Sequence, residues 1–597
     1  SISSQENVKY QKPSKEILDL VEFERPPSIV YDDNKNFMLF LFRDNYKSIS
    51  ELSAKELRLG GLRIDPKTNI GSRVTYYNNV KIRNLKNQKS EITQVEGLPK
   101  NPKLSNISWS PNQKRIALTN TTETGVELWV LELENGSVTK LTEPNLNSNI
   151  GSVINWFADS ENMLVKMISN NRKSLIDTNQ IVPDGPTIST NFGEKAQNRT
   201  YQDLLKNKFD EHNFEQLSTS AIYKVSIDGS VKKWMDDGMY RTISFSPNGE
   251  YVMISKINKP FSYLVTYSRF PTETNVYSKD GNFVSNLLNV PLIEELPKGF
   301  MSARTGKRSF SWRPDKGASL TYVTALDSGD PSKKVDFRDE VYELNYPFLG
   351  KGKFMLKTIN RFSGIDWGTK DMAIAYDTWW NTRNRKSYVF NPSNPSIKPK
   401  IISDRNYQDT YSDPGVFLRS RNEFNRSVLK MHYGNVFLRG QGFSPNGQFP
   451  FIDKVNTKTF EKTRVYQSSY TDKIESIIDY DPKKNQLTVS IESPSEYPNY
   501  YTKKIKSGKL EKITDLKNPF LELQNVKKKK ITYLRKDGVE LSGILYFPLN
   551  YDEEKKDKMP MILWAYPREF KDRKSASQNT KNSNEFTYPY YGSMVYW

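Results

Sequence analysis

The chain is long, basic and rich in aromatic residues. It has 597 residues, a formal net charge of +19, and 12% Phe, Tyr and Trp. This length exceeds what one hydrophobic core usually organises, so two units are expected, one of them large. The absence of cysteine excludes disulfides, cysteine nucleophiles and thiolate metal sites. The composition is typical of a β-rich globular protein and not of a disordered one.

The positive charge favours acidic partners through long-range attraction. Nucleic acid is not expected, because the basic residues are dispersed and no nucleic-acid-binding motif is recognisable. No transmembrane segment is predicted, since no apolar run approaches the roughly 18 to 20 residues that span a bilayer. The compartment is unknown from these features, with a periplasmic or otherwise exported location favoured. The absence of cysteine permits an oxidising space such as a periplasm without requiring it. The start at Ser1 without a targeting segment is expected for a processed product.

Histidine is scarce. The two histidines, His212 and His432, stand in no metal-ligand motif, so no metal site and no cofactor are expected. His212 lies in a charged helical segment and His432 in a strand-like one. Both are interpreted as structural or surface residues.

Residues 1–27 are predicted to form an N-terminal extension with a short helix. Ser14 is suited to cap a helix, the residues after it have helical spacing, and Pro26 and Pro27 end the pattern.

From residue 28 to about 515 one element recurs seven times: a strand ending in an aromatic residue, a polar turn and a second apolar strand. The copies are 29–41, 107–118, 154–165, 243–254, 310–323, 365–374 and 478–489. Turns of Asn, Asp, Gly and Pro between runs of alternating residues are typical of β-hairpins. Radial stacking buries both apolar faces of such sheets, so the repeat predicts a seven-bladed β-propeller over 28–515. Two stacked sandwiches are the weaker alternative, because they give no reason for a sevenfold repeat.

Two long gaps, after the third and after the sixth copy, are interpreted as insertions. The first contains helical spacing of Tyr201, Leu204, Leu205 and Phe209, which predicts an inserted helix near 199–216. This helix could cover the pore or touch a substrate, or it could simply pack on the rim of the ring.

The pattern changes after about residue 515. Residues 531–548 predict a strand, a turn at Asp537 and Gly538, and a second strand, and 559–570 predict a buried strand that runs into a loop. A hairpin followed by an apolar strand is how an α/β-hydrolase sheet begins. Residues 516–597 are therefore predicted to be the incomplete start of an α/β-hydrolase domain.

Short segments in order along nearly the whole chain resemble the glutamyl endopeptidase branch of the prolyl oligopeptidase family. They are 61–65 (GLRID), 199–209 (RTYQDLLKNKF), 268–271 (SRFP), 304–312 (RTGKRSFSW), 379–383 (WWNTR), 411–415 (YSDPG), 535–539 (RKDGV) and 564–570 (WAYPREF). The resemblance implies a mainly β chain, in which a propeller lies over an α/β-hydrolase domain that cleaves peptides with a Ser-Asp-His triad.

By this resemblance Tyr566 occupies the position of the family's oxyanion-hole tyrosine. A phenol is a neutral donor near pH 7, and one donor to the oxyanion is typically worth about 3 to 4 kcal/mol. The alternative is a tyrosine that merely caps the end of a strand.

The sequence departs from the family in its catalytic centre. A nucleophilic serine needs the elbow G-x-S-x-G, with an acid and a histidine base downstream, and the chain has none of these. The nearest string begins at Gly317 and contains Ser319, but it lacks the second glycine and lies in a propeller hairpin. The triad is expected beyond Trp597, and this chain alone is expected to be inactive.

The resemblance also implies cleavage after acidic residues, mainly Glu. Arginine holds a carboxylate best because it can form two parallel hydrogen bonds. Arg269, Arg304 and Arg308 lie in the resembling segments and are the candidate substrate-binding residues. For each of them, a salt bridge between blades is the alternative interpretation.

Two hypotheses follow for the function. The first is the truncated part of a serine endopeptidase, in which the propeller restricts access to flexible, acidic peptides. The second is a non-catalytic propeller that binds peptides or a protein partner in a larger assembly.

Overall fold

Antiparallel β-sheets make up most of the chain in the computed structural model. The structure describes residues 10–87, 90–177, 200–555, 557–590 and 593–596, together with positions 180, 182, 185, 186 and 188. Within these residues eight four-stranded units follow one another along the chain and are called sheets one to eight below. Sheets three and four share the strand Val231–Phe245 and so form one seven-stranded sheet, and sheet seven carries a fifth, short strand. The described helices are Lys15–Val21, Ile49–Leu52, Lys208–Ser218 and Arg573–Ala576, with single 3-10 turns at Tyr267–Arg269, Leu521–Leu523 and Met594–Tyr596.

Sheets one to four occupy the first half of the ring. Sheet one contains Ser28–Tyr31, Phe37–Phe42, Asn79–Asn84 and Thr93–Gln94. Sheet two contains Leu104–Trp109, Arg115–Thr121, Val126–Glu132 and Val138–Lys140. Sheet three contains Ile154–Trp156, Asn162–Ile168, Ser220–Ser226 and the first half of Val231–Phe245. Sheet four contains the second half of Val231–Phe245, then Tyr251–Ile257, Thr272–Ser278 and Phe283–Val290.

Sheets five to eight follow in the same order. Sheet five contains Arg308–Trp312, Ser319–Ala325, Asp339–Asn345 and Lys353–Thr358. Sheet six contains Arg361–Thr369, Met372–Trp379, Asn384–Phe390 and Lys400–Asn406. Sheet seven contains Val416–Phe417, Asn435–Gly440, Phe451–Asn456 and Lys462–Gln467, with Met431–His432 paired beside it. Sheet eight contains Ile474–Asp481, Gln486–Glu492, Asn499–Lys504 and Leu510–Lys512.

Four small sheets lie in the connections and after the ring. They are Leu57–Leu59 with Leu62–Asp65 and Ile70–Gly71, Arg419–Arg421 with Ser427–Leu429, Phe443–Ser444 with Gly447–Gln448, and Lys528–Leu534 with Glu540–Tyr546.

Each sheet is apolar on both faces, because it packs against a sheet on either side. The strand Phe37–Phe42 shows how alternation achieves this. Its residues Phe37, Leu39 and Leu41 face the cluster shared with sheet two, whereas Met38 and Phe40 face the cluster shared with sheet eight. All five side chains are buried.

The eight sheets close into a ring. Seven buried clusters join successive sheets, and they contain Leu39 with Leu118, Val130 with Trp156, Leu164 with Val252, Val276 with Leu320, Val341 with Ala373, Ile374 with Val436, and Ile452 with Val489. An eighth cluster joins Phe40 of sheet one to Ile513, the residue that directly follows sheet eight. Radial packing with the last sheet against the first is a β-propeller, so the predicted mainly β propeller fold is confirmed.

The number of blades is eight and not the predicted seven. The seven predicted repeats lie in sheets one to six and sheet eight, and the gap assigned as an insertion after the sixth copy contains sheet seven. Sheet seven lacks the repeated hairpin because its first strand, Val416–Phe417, has only two residues. The chain then leaves the sheet through the hairpin Arg419–Arg421 and Ser427–Leu429 before its second strand begins.

The inserted helix begins later than predicted. It spans Lys208–Ser218, and the side chain of Asn207 caps it by accepting a hydrogen bond from the Asp210 backbone amide. Tyr201, Leu204 and Leu205 precede the helix, so their helical spacing was misleading, and Arg199 lies outside the described residues. Leu205 is nevertheless buried in the cluster that the helix joins through its own residues.

The helix Lys15–Val21 confirms the predicted helix of the N-terminal extension. Ser14 stands at its start as expected, but its side chain makes no capping hydrogen bond.

The hairpin Lys528–Leu534 and Glu540–Tyr546 turns at Asp537 and Gly538 as predicted. The buried strand predicted over 559–570 is wrong: this segment is irregular, and Leu563 and Trp564 are 78% and 63% exposed. An apolar strand is buried only when neighbouring strands flank it. Among the described residues no strand pairs with this segment.

None of the helices in the described part of the chain has the length and apolar character to cross a bilayer.

We predict that ring closure couples Phe40 energetically to Ile513, although the two residues are 473 positions apart in the sequence (513 − 40). In a double-mutant cycle of Phe40→Ala and Ile513→Ala, measured by urea unfolding, the interaction energy should be about 0.5 to 3 kcal/mol. The control cycle of Phe40→Ala with Val341→Ala, which lies between sheets five and six, should be additive. Additivity in both cycles would contradict a closed ring.

Candidate substrate-binding site

One end of the ring collects the long connections. It is called the upper face and is the end at which the first strand of each sheet begins. The antiparallel order also places the connections from second to third strands, and those between sheets, at this face. The hairpin Leu57–Leu59 and Leu62–Asp65, the helix Lys208–Ser218 and the segment 261–270 share one buried cluster there. The inserted helix therefore packs in a core on the rim of the ring.

The segment after the ring docks on the same face. The Gln408 side chain donates to the Glu569 carbonyl at 2.7 Å, and the Gln578 side chain accepts from the Thr410 amide at 2.7 Å. Farther along, the Phe586 amide donates to Glu492 at 3.2 Å. These contacts cross sheets six to eight, so the upper face carries the polypeptide that follows the propeller.

Sheets four and five enclose a cavity of about 500 Å³ at the upper face. The structure brings the three candidate arginines, Arg269, Arg304 and Arg308, together in its lining, and it adds Arg241. Apolar walls come from residues such as Met253 and Phe310. Since no Asp or Glu is among the described lining residues, the cavity is strongly cationic.

Arg241 projects into the cavity from a β-bulge. The register between the second half of Val231–Phe245 and Tyr251–Ile257 shifts between Tyr240 and Thr242, so Arg241 is the extra residue. A bulge changes the direction of a side chain and breaks the alternation of the strand. For this reason the sequence pattern did not single out Arg241.

Within the described part of the chain, the side chains of Arg241 and Arg304 donate hydrogen bonds only to backbone carbonyls. Arg241 Nη1 donates to the Ser268 carbonyl at 3.2 Å. Arg304 Nη1 donates to the Thr305 carbonyl at 3.1 Å, and its Nη2 donates to the Lys307 carbonyl. Burial, and then the nearby charge of Arg308, lower the pKa of Arg304 from its usual value. A negatively charged ligand would relieve this repulsion.

Arg308 differs because it also serves the fold. Its Nη2 lies 2.5 Å from Oδ1 of Asp339, which is fully buried. Arg361 of sheet six lies 3.0 Å from Asp339 and 2.7 Å from Asp327, and Arg338 lies 2.8 Å from Asp327. The ion pair of Arg308 is thus within sheet five, and Arg361 supplies the bridge between blades. The Nε of Arg308 has no hydrogen-bond partner among the described residues.

Arg269 contacts the rim of the ring. Its guanidinium lies 5.4 Å from the ring centre of Tyr201, and its carbonyl accepts from the Ile293 amide at 3.0 Å. Arg269 thereby links the inserted segment before the helix to the connection between sheets four and five.

Tyr566 does not line the arginine cavity. It lies in the irregular segment 559–570, and its side chain is 81% exposed. The segment 559–570 contains no strand, so Tyr566 does not cap the end of one.

The remaining candidates from the sequence are structural. His212 Nε2 lies 2.9 Å from the Ser174 carbonyl, and the His432 ring contacts Tyr433 at 4.1 Å between ring centres. Ser319 is buried at the start of a strand, where its hydroxyl donates to Glu343 at 2.7 Å.

Fold and cavity together define a β-propeller with a cationic cavity on the face that receives the following segment. Two proteins are similar to the chain along its length. "Probable glutamyl endopeptidase, chloroplastic" of Oryza sativa subsp. japonica is 33% identical over 605 residues, covering 97% of this chain and 64% of that protein. The protein of the same name from Arabidopsis thaliana is 31% identical over 605 residues, covering 97% of this chain and 63% of that protein.

The similarity to these two relatives confirms the resemblance of this chain to the glutamyl endopeptidase branch of the prolyl oligopeptidase family. The chain spans somewhat less than two thirds of the length of these two relatives. No family model matches it.

Solved structures show weaker similarity. The dipeptidyl peptidase 4 of Porphyromonas gingivalis has a TM-score of 0.46 at 10% identity, covering 91% of this chain and 68% of that one. An acylaminoacyl peptidase in complex with Z-Gly-Gly-Phe-chloromethyl ketone has a TM-score of 0.40 at 13% identity, covering 90% and 60%. The fold assignment rests on the sheets and clusters of the chain itself.

We predict that Asp327 stabilises the folded protein and that this stabilisation is lost at acidic pH. Burial would raise its pKa, but the hydrogen bonds from Arg361 and Arg338 outweigh burial and hold the pKa below the usual value. A depressed folded-state pKa gives stability that is present above the unfolded value of about 3.9 and is lost as the pH falls through the folded value. Asp327→Asn should lower stability by about 3 to 5 kcal/mol near neutral pH.

The measurement is urea unfolding of both proteins from about pH 3 to about pH 7. The difference between wild type and Asp327→Asn should shrink below about pH 4. Parallel pH profiles would show that Asp327 does not contribute through its charge.

Proposed function

We propose that this chain is the propeller part of a serine endopeptidase that cleaves peptides after acidic residues, and that the cavity between sheets four and five binds the acidic side chain. The observation that carries the proposal is the convergence of Arg241, Arg269, Arg304 and Arg308 on one cavity without a carboxylate in its described lining. The names of the two relatives support the same activity.

The chemistry of the cavity suits a Glu side chain. A guanidinium binds a carboxylate through short, charge-assisted hydrogen bonds that are about twice as strong as neutral ones. Among the residues that the structure describes, Arg304 and Arg241 have only carbonyl partners, so their charge is available to a ligand. Apolar wall residues such as Met253 can contact the methylene groups of the ligand. A cavity of about 500 Å³ also has room for neighbouring parts of a peptide.

The ring gives a reason for selecting flexible peptides. In this proposal the closed circle of eight sheets and the cluster on its upper face restrict access, so that a folded protein is excluded. Because the segment 569–586 docks on the upper face, a peptidase domain built onward from it would face the cavity.

Tyr566 is the proposed oxyanion-hole donor of that domain, and residues 516–597 are its proposed beginning. The exposed apolar residues around Tyr566 support this assignment, since Leu563 and Trp564 have the character of a central strand without its neighbours. The 597 residues contain no G-x-S-x-G elbow, so the serine belongs to sequence outside them in this proposal.

A second candidate function is peptide binding without catalysis, possible because the arginine cavity consists of propeller residues alone. A fluorophosphonate probe separates the two functions. Labelling of a serine in the protein that carries the remainder of the domain supports the peptidase, and an unlabelled protein that still binds acidic peptides supports the binding module.

The compartment stays a prediction. The two relatives are named chloroplastic, which is an organellar location, whereas the sequence of this chain favoured a periplasmic or exported one. The lack of cysteine is compatible with both.

We predict that the 597-residue chain binds an acetylated, amidated peptide with Glu more tightly than the same peptide with Gln. Arg304→Gln should weaken binding of the Glu peptide about tenfold or more, because the Glu carboxylate loses a charged partner. The affinity for the Gln peptide should stay unchanged, because its amide carries no charge. Calorimetric titration measures both affinities.

The control is Arg535→Gln, an exposed arginine paired with Asp537 in the hairpin after the ring. It makes the same charge change away from the cavity and should bind like wild type. Equal loss in Arg304→Gln and Arg535→Gln would argue against a specific carboxylate site.

In a protein that includes the complete peptidase domain, Tyr566→Phe should reduce kcat about 100-fold to 1,000-fold with little change in KM, because an oxyanion donor acts only in the transition state. Steady-state kinetics on a Glu-containing substrate measure both constants. Unchanged kcat would refute the oxyanion role, and the Tyr533→Phe variant, a half-exposed tyrosine of the hairpin, is the matched control.

A further inference from the structure

A second cationic cavity lies on the upper face beside sheet one. It measures about 650 Å³, and it is bounded by the segment before the first strand, by residues 43–51 after the second strand, and by residues 588–590 of the docked segment. Asn45 fixes the N-terminal wall, since its side chain donates to the carbonyls of Val21 at 3.1 Å and Phe23 at 2.7 Å.

Arg25 and Arg43 both line this cavity, and no described residue forms an ion pair with either of them. Among the described residues neither side chain makes a hydrogen bond or an ion pair, and the Nε of Arg43 is buried without a partner. Both side chains are half-buried, and a charged group that loses part of its hydration without gaining a partner is destabilised. Two unpaired arginines in one cavity therefore indicate a ligand.

The acidic residues of the cavity wall are already engaged elsewhere. Asp44 accepts from the Asn78 side chain at 2.8 Å. Glu51 accepts from the Ser48 amide at 3.0 Å and lies 3.3 Å from Lys103 Nζ. Neither carboxylate neutralises the arginine pair.

The two arginines are close enough to affect each other. Burial, and then the charge of Arg43, lower the pKa of Arg25. An anion between the two guanidinium groups would remove this repulsion and supply the missing hydrogen-bond acceptors.

The rest of the wall is aromatic, with Phe23, Tyr76, Tyr497 and Tyr588 among the lining residues. Burial raises the pKa of Tyr497 to about 12, so its hydroxyl remains a neutral donor at physiological pH. Such walls suit an anion that is attached to an apolar or aromatic group, because the rings can contact the attached group while the arginines hold the charge.

We propose that Arg25 and Arg43 form a second carboxylate-binding site of the upper face, which takes a peptide carboxylate next to an apolar residue. The choice of a peptide as ligand rests on the proposed function, whereas the anion site rests on the two unpaired arginines. The cavity shares the face of the arginine cavity between sheets four and five, so both sites are presented to the same side of the ring.

The test is calorimetric titration of the 597-residue chain with two probes that carry one carboxylate each. Acetyl-Phe-Glu-amide offers a side-chain carboxylate, and acetyl-Phe-Gln offers a C-terminal one. At least one probe should bind, and Arg25→Gln with Arg43→Gln should weaken it about tenfold or more, because both charged donors are lost. The probe that loses affinity identifies the source of the carboxylate.

Two further variants separate this site from alternatives. Arg58→Gln with Arg73→Gln makes the same charge change at exposed arginines of the same face and should bind like wild type. Arg304→Gln should leave the part of the binding that depends on Arg25 and Arg43 unchanged. If Arg304→Gln abolishes all binding while the double variant of Arg25 and Arg43 binds like wild type, the site at Arg25 and Arg43 is refuted. The site between sheets four and five then stands.

Thermal unfolding without ligand distinguishes a ligand-binding arginine from one that stabilises the fold. Removal of one of two repelling charges should leave the melting temperature of Arg43→Gln unchanged or higher, whereas a structural arginine lowers it on removal. A clear decrease, binding of neither probe, or tight binding of inorganic phosphate with no binding of either peptide would overturn the proposal.

Discussion

The packing of each sheet against the next around a closed circle is the constraint on which the rest of the structure depends. Sheet one illustrates it, since Leu39 faces sheet two while its neighbour Phe40 packs with Ile513 beside sheet eight. The circle gives every sheet two partners and thereby buries faces that an isolated sheet would expose to water. It also directs the connections to one end of the ring, where both cationic cavities and the docked segment lie.

The arginines of the protein fall into two groups that their surroundings distinguish. Arg313 is fully buried, lies 4.3 Å from the ring centre of Trp367 and pairs with Asp315 and Glu343, so it joins sheets five and six. Arg361 is likewise paired with two buried aspartates. Arg304 and Arg25 have no acidic partner among the described residues. A half-buried charge without an acidic partner contributes little to the stability of the fold, and this contrast favours ligand binding at the latter positions.

Sequence reasoning reached the class of fold because the hairpin repeat is local. An aromatic strand end, a polar turn and an apolar strand are recognisable within about 15 residues, and seven sheets carry them. Sheet seven escaped recognition because its first strand, Val416–Phe417, is followed by an extra hairpin instead of a tight turn. The inserted helix was misplaced for a related reason: Leu205 is buried with the helix, so its spacing reflects tertiary contact and not helical structure.

The sequence by itself determined the β-rich class, the repeat, the missing serine elbow and three of the four arginines of the first cavity, because motifs, composition and short-range periodicity are properties of neighbouring residues. Only the tertiary structure decided that eight sheets close the ring, that Arg241 joins Arg304 through a bulge, and that Arg25 meets Arg43. The physical reason is that ring closure, side-chain direction at a bulge and compensation of charge depend on residues far apart in the chain, which meet only after the sheets have packed.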